Sequence, residues 1–425
     1  MERSFGIGDI AVYIPRLQIS LDTLIARHRE RDPQWARTLA RARRRTGQES
    51  LRFPEPWEDS ATMAAQAAAA VLERMGEAEI GSLRYLVVGT ETGVDQAKPV
   101  AAHVQGMLQR AGFALSGALS TFDIQHACAG GAIGLASVGA MLQVSRGAAG
   151  RGLIICTDEA RYAPGSSAEI TQGAAAVALL VEPDPRLLQI DFTAVGYASR
   201  DVDDFFRPHG SVAARVRGRF SIECYQRAVE EALLDLGART GCGMAALLEE
   251  AGLLALHVPF RSLPEETMAR LVQRHLGCDA AVAARYLAGR QFADGTAPAA
   301  VVGNVYSGAL FLSVAALLAA RHRECRSALA GQRMVLVAYG SGNTALAFSA
   351  RVGRQAGAVL GGWCLDSQIE QGVEAPLAAY DAWIADYPGR RGAEPAPGQV
   401  PAGGFYLHGV REDGYRTYRH AGSAQ

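Results

Sequence analysis

The chain has 425 residues, of which 49% are hydrophobic and 20% charged, and its formal net charge is −1. That balance is one of a soluble globular protein, long enough for two domains or two halves of a layered domain. It excludes a global field that would draw nucleic acid or an anionic membrane.

Strand-like runs fall at 6–14, 85–90, 120–125, 152–157 and 174–181, with helical stretches at 60–75, 101–111 and 132–144 between them. Asp59-Ser60 ahead of Ala61 is a helix start. Residues 26–52 are dense in arginine and interrupt this first half, reading as a solvated helical insertion. A second set follows Pro183-Asp184-Pro185, with strands at 188–195, 254–258, 299–304, 334–338 and 344–350 and helices at 219–236, 265–276 and 307–320. Strands apolar on both faces, alternating with helices, predict an α/β protein. The organisation is an N-terminal half at 1–185, a C-terminal half at 186–350 and an extension at 351–425. An exposed Pro/Gly loop is expected at 389–404, and a last strand after it.

Seven cysteines, at 128, 156, 224, 242, 278, 325 and 364, are odd in number and form no C-x-x-C pair. Neither a disulfide framework nor a metal site is expected, and a reducing cytoplasm fits. The start of the chain has no apolar core of a leader, and no run of eighteen uninterrupted apolar residues is seen, so neither export nor membrane spanning is expected.

Five islands carry chemistry. Cys128 stands in Asp123-Ile124-Gln125-His126-Ala127-Cys128-Ala129-Gly130-Gly131, where a strand passes into a small-residue helix. A thiol at a helix N-terminus meets unpaired N–H groups and the positive dipole end, which favours the thiolate. A buried free cysteine beside a tight turn fits this segment equally well. Glu91 ends a buried strand, in Val88-Gly89-Thr90-Glu91-Thr92-Gly93, where a dry setting raises a carboxyl pKa toward neutrality. Taken alone it reads as a capping carboxylate. His257 leaves an apolar strand in His257-Val258-Pro259-Phe260, and a lone histidine there is more often a core residue. Asn304, in Gly303-Asn304-Val305-Tyr306, reads alone as a turn amide. Tyr339-Gly340-Ser341-Gly342 is a glycine-rich turn whose N–H groups suit an oxyanion.

In order and spacing these islands resemble the hydroxymethylglutaryl-CoA (HMG-CoA) synthase family of the thiolase superfamily. The resemblance extends over Thr46-Gly47-Gln48-Glu49, Asp59-Ser60-Ala61-Thr62, Thr157-Asp158-Glu159-Ala160-Arg161-Tyr162, Thr171-Gln172-Gly173-Ala174, Asp204-Phe205-Phe206-Arg207-Pro208 and the tail through Tyr418. It implies a thiolase-like fold, two pseudo-symmetric βαβ-rich halves in α-β-α-β-α layers, and a homodimer. It implies that Cys128 accepts an acetyl group from acetyl-CoA and that Glu91 is the general base. His257 and Asn304 would hold the acetoacetyl-CoA acceptor. The Cys128 N–H and the Ser341 backbone would bind the acetyl oxyanion. Tyr162 and Thr171 fall at pocket positions, and Asp95, Asp158 and Asp204 at supporting acidic ones. No cofactor or metal is implied; the CoA thioesters are substrates.

Two departures bear on the acceptor. Ala129 replaces a bulkier family residue beside the nucleophile. Arg261-Ser262-Leu263-Pro264-Glu265-Glu266 stands where relatives often carry lysines for CoA, leaving Arg261 as the available cation. The leading expectation is synthesis of HMG-CoA for the mevalonate pathway. The alternatives are β-branching on an acetoacetyl-acyl carrier protein in polyketide synthesis, a ketoacyl synthase III-like condensing enzyme, and a non-enzymatic acyl-CoA-binding scaffold.

Overall fold

The computed structural model describes residues 3–145, 150–325, 329–385, 395 and 398–422. Ten strands form one mixed sheet: β1 (Phe5–Tyr13), β2 (Leu83–Gly89), β3 (Ser120–Ile124), β4 (Arg151–Ala160), β5 (Gly173–Pro183), β6 (Leu188–Ile190), β7 (Gly196–Ser199), β8 (Leu253–Leu256), β9 (Arg333–Gly340) and β10 (Thr344–Val352). Their order is β8-β9-β10-β6-β1-β5-β4-β2-β3, with β7 also paired to β10. β2 runs parallel to β3 and β4, and β8 runs parallel to β9. Short β6 pairs with both β1 and β10 and so joins the halves in one ladder.

Side chains alternate across each strand, and the alternation sorts them into layers. In β4, Leu153 and Ile155 pack with the helices Ser60–Leu72 and Val100–Arg110. Ile154 and Cys156 face the other way, onto the helices Gly130–Val144 and Ala309–Cys325. In β9, Leu336 shares that central cluster, whereas Val335 and Val337 pack on the helices Gly218–Thr240 and Ser262–Leu276. Helices, strands, helices, strands and helices therefore alternate through the molecule, the five layers of a thiolase-like fold. Each fully buried Leu or Ile in these rows stabilises by about 2 kcal/mol.

Residues 127–144 carry no charge, reach a mean hydropathy of 1.6 and are long and apolar enough to cross a membrane. Ser137 and Gln143 interrupt the run, and Leu135, Val138 and Leu142 pack in the central helical layer. Asp59 caps the helix Ser60–Leu72 through Ala61 N–H and Thr62 N–H, with Thr62 closing the box.

The structure departs from the sequence reading in three places. The strand expected at 188–195 is two short strands, β6 and β7, with a turn between them. Residues 299–304, expected as a strand, complete the helix Phe292–Val302 and its exit. Gly303, at φ +90°, terminates it while its N–H bonds to Ala299. Residues 26–52 are only partly solvated. The helices Leu21–Arg31 and Pro33–Thr46 bury Leu24, Ile25, Ala36 and Leu39 against Tyr380 and Trp383. Arg52 is 1% exposed, its Nη1 bonded to the Pro15 carbonyl at 2.9 Å. Of the loop expected at 389–404, residues 389–394 and 396–397 lie outside the described residues. The last strand is a hairpin, Phe405–Val410 with Arg416–His420. It lays Arg416 and Tyr418 on the Asp59 carboxylate at 2.7 and 2.9 Å.

Candidate active site

Three close backbone approaches build the site. Gly89 ends β2, and a Cβ there would fall 2.4 Å from Gly131 N and 2.6 Å from Gly130 C. The absence of side chains lets the start of the helix Gly130–Val144 cross the strand end that carries Glu91. Gly340 ends β9, where a Cβ would fall 2.6 Å from the His126 carbonyl and 2.7 Å from Ala129 N. The turn that carries Cys128 is thus wedged between the two halves. A Cβ on Gly303 would fall 1.7 Å from the Gln172 carbonyl, which brings Asn304 against residues 171–173.

Cys128 follows Ala127, a non-glycine residue at φ +41°, a left-handed conformation that costs about 1–2 kcal/mol. The Cys128 side chain shares a small buried cluster with Tyr162, Tyr306 and Ala160. Its thiol pKa is raised, first by burial and then by the nearby charges of Glu91 and Asp158. Burial and the two carboxylates thus favour the thiol, against the thiolate expected from the helix N-terminus.

Glu91 sits just beyond β2 with its side chain 5% exposed. Burial pushes its pKa up to about 7, Arg207 pulls it down and Asp158 pushes it up. Oε1 accepts from Arg207 Nη2, and the Glu91 carbonyl accepts from Arg207 Nη1. Oε2 is buried with no hydrogen-bond partner among the described residues.

Asp158, fully buried in β4, holds the Glu91 loop. Its Oδ1 accepts from Glu91 N–H at 2.9 Å, Thr90 Oγ1 at 3.0 Å and Thr92 Oγ1 at 2.8 Å. Asp204 plays the matching part in the other half, accepting from Tyr339 Oη at 2.6 Å and Gly342 N–H at 2.9 Å. Asp95 is different: it is exposed, caps Ala97 and Lys98 N–H at 2.7 and 2.8 Å, and those bonds lower its pKa.

Asn304 donates its N–H to the Thr171 carbonyl at 3.0 Å, and its Oδ1 accepts from Tyr306 N–H at 2.9 Å. Tyr162 lies beside the Asn304 and Tyr306 side chains, its ring edge-on to Phe205 at 6.2 Å. Thr171 is nearly buried, and its hydroxyl bonds to the Ala168 carbonyl at 2.8 Å. Cys128, Glu91, Tyr162, Asn304 and Thr171 thus form one connected set.

His257 joins less directly. Its N–H bonds to Val337 at 2.8 Å and its carbonyl accepts from Tyr225 Oη at 2.7 Å. Its ring lies 6.4 Å from that of Tyr339, beside which Ser341 sits. Burial drives its pKa down to about 3, and Nδ1 has no partner among the described residues. It is a neutral imidazole able to donate from one nitrogen. Arg261 stays at the periphery, its side chain 38% exposed and 3.9 Å from Glu265, with Gly47 and Gln48 packed on it.

A cavity of about 780 Å³ opens over Glu91 and Arg207, and its lining reaches Ala127 but stops short of Cys128. Arg207 and Tyr306 are the residues that sequence reasoning passed over. Arg207 stands in the same short segment as Asp204, and a carboxylate buried as deeply as Glu91 calls for a cation; that was the available signal.

Known proteins resemble this chain along most of its length. Residues 2–186 match the family model "Hydroxymethylglutaryl-coenzyme A synthase N terminal" and residues 282–361 the corresponding C-terminal model. The hydroxymethylglutaryl-CoA synthase of Enterococcus faecalis is 28% identical over 90% of this chain and 92% of its own. A solved structure, MvaS in complex with 3-hydroxy-3-methylglutaryl coenzyme A, is 32% identical over 99% of this chain and 100% of that one, with a TM-score of 0.84. The HMG synthase of the curacin pathway in complex with apo donor-ACP shares the fold, at 23% identity and a TM-score of 0.85 over 98% of this chain and 100% of that one. The chain is an enzyme of the acyl-transferring, condensing kind and belongs to the hydroxymethylglutaryl-CoA synthase family.

Proposed function

We propose that the protein condenses acetyl-CoA with acetoacetyl-CoA to give HMG-CoA, in the mevalonate pathway. The observation that carries this reading is the placing of Glu91, with a pKa of about 7, against the Cys128 turn through the Gly89–Gly130 crossing.

The steps follow from the groups present. Cys128 Sγ attacks the acetyl-CoA carbonyl, the bond to the CoA sulfur breaks, and the thiol proton ends on that sulfur. Covalent capture orders two acyl groups that would otherwise meet at random. Glu91 Oε2 takes a proton from the acetyl methyl, while the Cys128 and Ser341 N–H groups bind the oxyanion. The carbon attacks the acceptor ketone, polarised by Asn304 and neutral His257. Glu91 returns its proton to the alkoxide, and water then cleaves the Cys128 thioester, leaving a carboxylate on the product. The thioesters are substrates, and the scheme calls on no cofactor. A homodimer and a cytoplasmic setting belong to the same reading; β3 is an open sheet edge suited to pairing.

The test is Glu91→Ala, followed with labelled acetyl-CoA. Acetyl-Cys128 should still form while condensation is lost; unchanged condensation overturns the reading.

One observation favours a second reading, an acceptor carried on an acyl carrier protein. Arg37, Arg41, Arg44 and Arg45 form an exposed basic face on the helix Pro33–Thr46, whose end packs against Arg261. Such a face suits an acidic partner. A faster rate with acetoacetyl-carrier protein than with acetoacetyl-CoA selects it.

A further inference from the structure

Arg207 is built into this site more firmly than a surface ion pair requires. Pro208 follows it and restricts its backbone to extended conformations. Asp204, three residues earlier, is pinned to Tyr339 and Gly342 of the C-terminal half. Phe205, between them, packs edge-on against Tyr306 at 5.8 Å and Tyr162 at 6.2 Å. The guanidinium itself lies over the Tyr306 ring at 5.8 Å, with its side chain 16% exposed. From this anchored segment two nitrogens reach one residue: Nη2 binds Glu91 Oε1 and Nη1 binds the Glu91 carbonyl. The grip spans backbone and side chain of the same residue and so fixes the plane of the carboxylate. It also occupies only one oxygen, leaving Oε2 buried and without a partner.

We infer that Arg207 is the positioning residue of the proton-transfer step: it holds Glu91 ionised, turns it, and selects Oε2 as the oxygen that takes the proton. The inference rests on the reading of Glu91 as the base. Two physical effects are combined. A cation beside a buried carboxylate offsets the desolvation that would otherwise keep it protonated. A two-point guanidinium grip adds an orientation that a point charge does not. Arg207 supplies both, and separate substitutions can divide them.

The experiment follows solvent deuterium exchange into the methyl group of acetyl-CoA, as a function of pH, in wild type, Arg207→Lys, Arg207→Met and Glu91→Gln. Exchange reads carbon deprotonation without acceptor or hydrolysis. In Arg207→Met the acidic limb should move up by about one pH unit or more. Exchange at pH 7 should fall at least about tenfold and recover in part by pH 9. Arg207→Lys should keep the limb near that of wild type but lower the plateau, because charge is restored without the two-point grip. Labelling of Cys128 by acetyl-CoA in each variant reports that the site is folded, and a loss confined to exchange is the expected pattern. If Arg207→Met does not fold, Arg207→Lys still decides: a wild-type plateau overturns the orienting role. If Arg207→Met folds and keeps the wild-type limb, the inference fails while the base reading stands. If Glu91→Gln exchanges at the wild-type rate, the base reading itself fails.

Discussion

Asp158 and Ser307 are joined twice: Oδ2 accepts from Ser307 N–H at 3.0 Å and from its hydroxyl at 2.5 Å. Through its other oxygen the same carboxylate holds residues 90–92. One buried side chain therefore couples the strand end that bears Glu91 to the turn that leads into the central helix Ala309–Cys325. Burial raises the Asp158 pKa, and the donors around it pull it back down. Asp158→Asn puts an NH₂ donor among donors. It should cost about 3 kcal/mol of stability, the order expected for leaving buried groups unpaired. Urea denaturation measures the loss; an unchanged midpoint would show that the network is not needed for the fold.

The thiol of Cys128 should behave as a poor nucleophile until substrate arrives. Its raised pKa means that the reactive thiolate grows only as pH climbs past the ordinary thiol range. Alkylation by iodoacetamide, followed by mass spectrometry, should be slower at Cys128 than at exposed Cys242 and Cys364 at pH 7. The Cys128 rate should still be rising at pH 9. Fast modification that levels off below pH 8 would reverse this picture.

His257 should leave no mark on the pH profile. With its pKa driven down to about 3 by burial, it is neutral at every pH well above that value. In the proposed mechanism it donates an N–H, so His257→Ala should lower condensation about a hundredfold, the usual effect of losing one oxyanion donor. Acetyl loading of Cys128 should suffer much less. A wild-type limb near 6.5 that vanishes in His257→Ala would mean that the ring titrates after all.

The tail hairpin makes a prediction of its own. Arg416 and Asp59 are 6% and 4% exposed at the side chain and 2.7 Å apart. Arg416→Met strands a buried carboxylate that is also a helix cap, which should destabilise the fold by about 3–5 kcal/mol. Asp59→Asn in the same background should recover part of that loss, since the buried charge is then gone. A double-mutant cycle in urea checks both, and simple additivity would show that the pair is not coupled.

Much of the architecture was legible because it rests on local pattern. Runs such as Leu153-Ile154-Ile155 are apolar on both faces, and Asp59-Ser60-Ala61-Thr62 carries its own capping chemistry. The strand expected at 299–304 failed because Val301, Val302 and Gly303 look like a strand end, whereas the left-handed φ of Gly303 closes a helix. The Cys128 thiolate failed for a different reason. The dipole is visible in sequence, but the carboxylates that oppose it come from positions 91 and 158, which only the fold brings near. Arg207 was hidden for the same cause: an arginine before a proline says nothing about which carboxylate it will grip.

The arginine-dense helices near the start of the chain share one apolar cluster with Tyr380 and Trp383 near its other end. Each flank buries part of its apolar side against the other, so the two halves between them are belted together. Severing the polypeptide anywhere inside that belt would leave two fragments that must find each other before either is finished. The site, poised on the seam between those halves, would be the first thing to slacken.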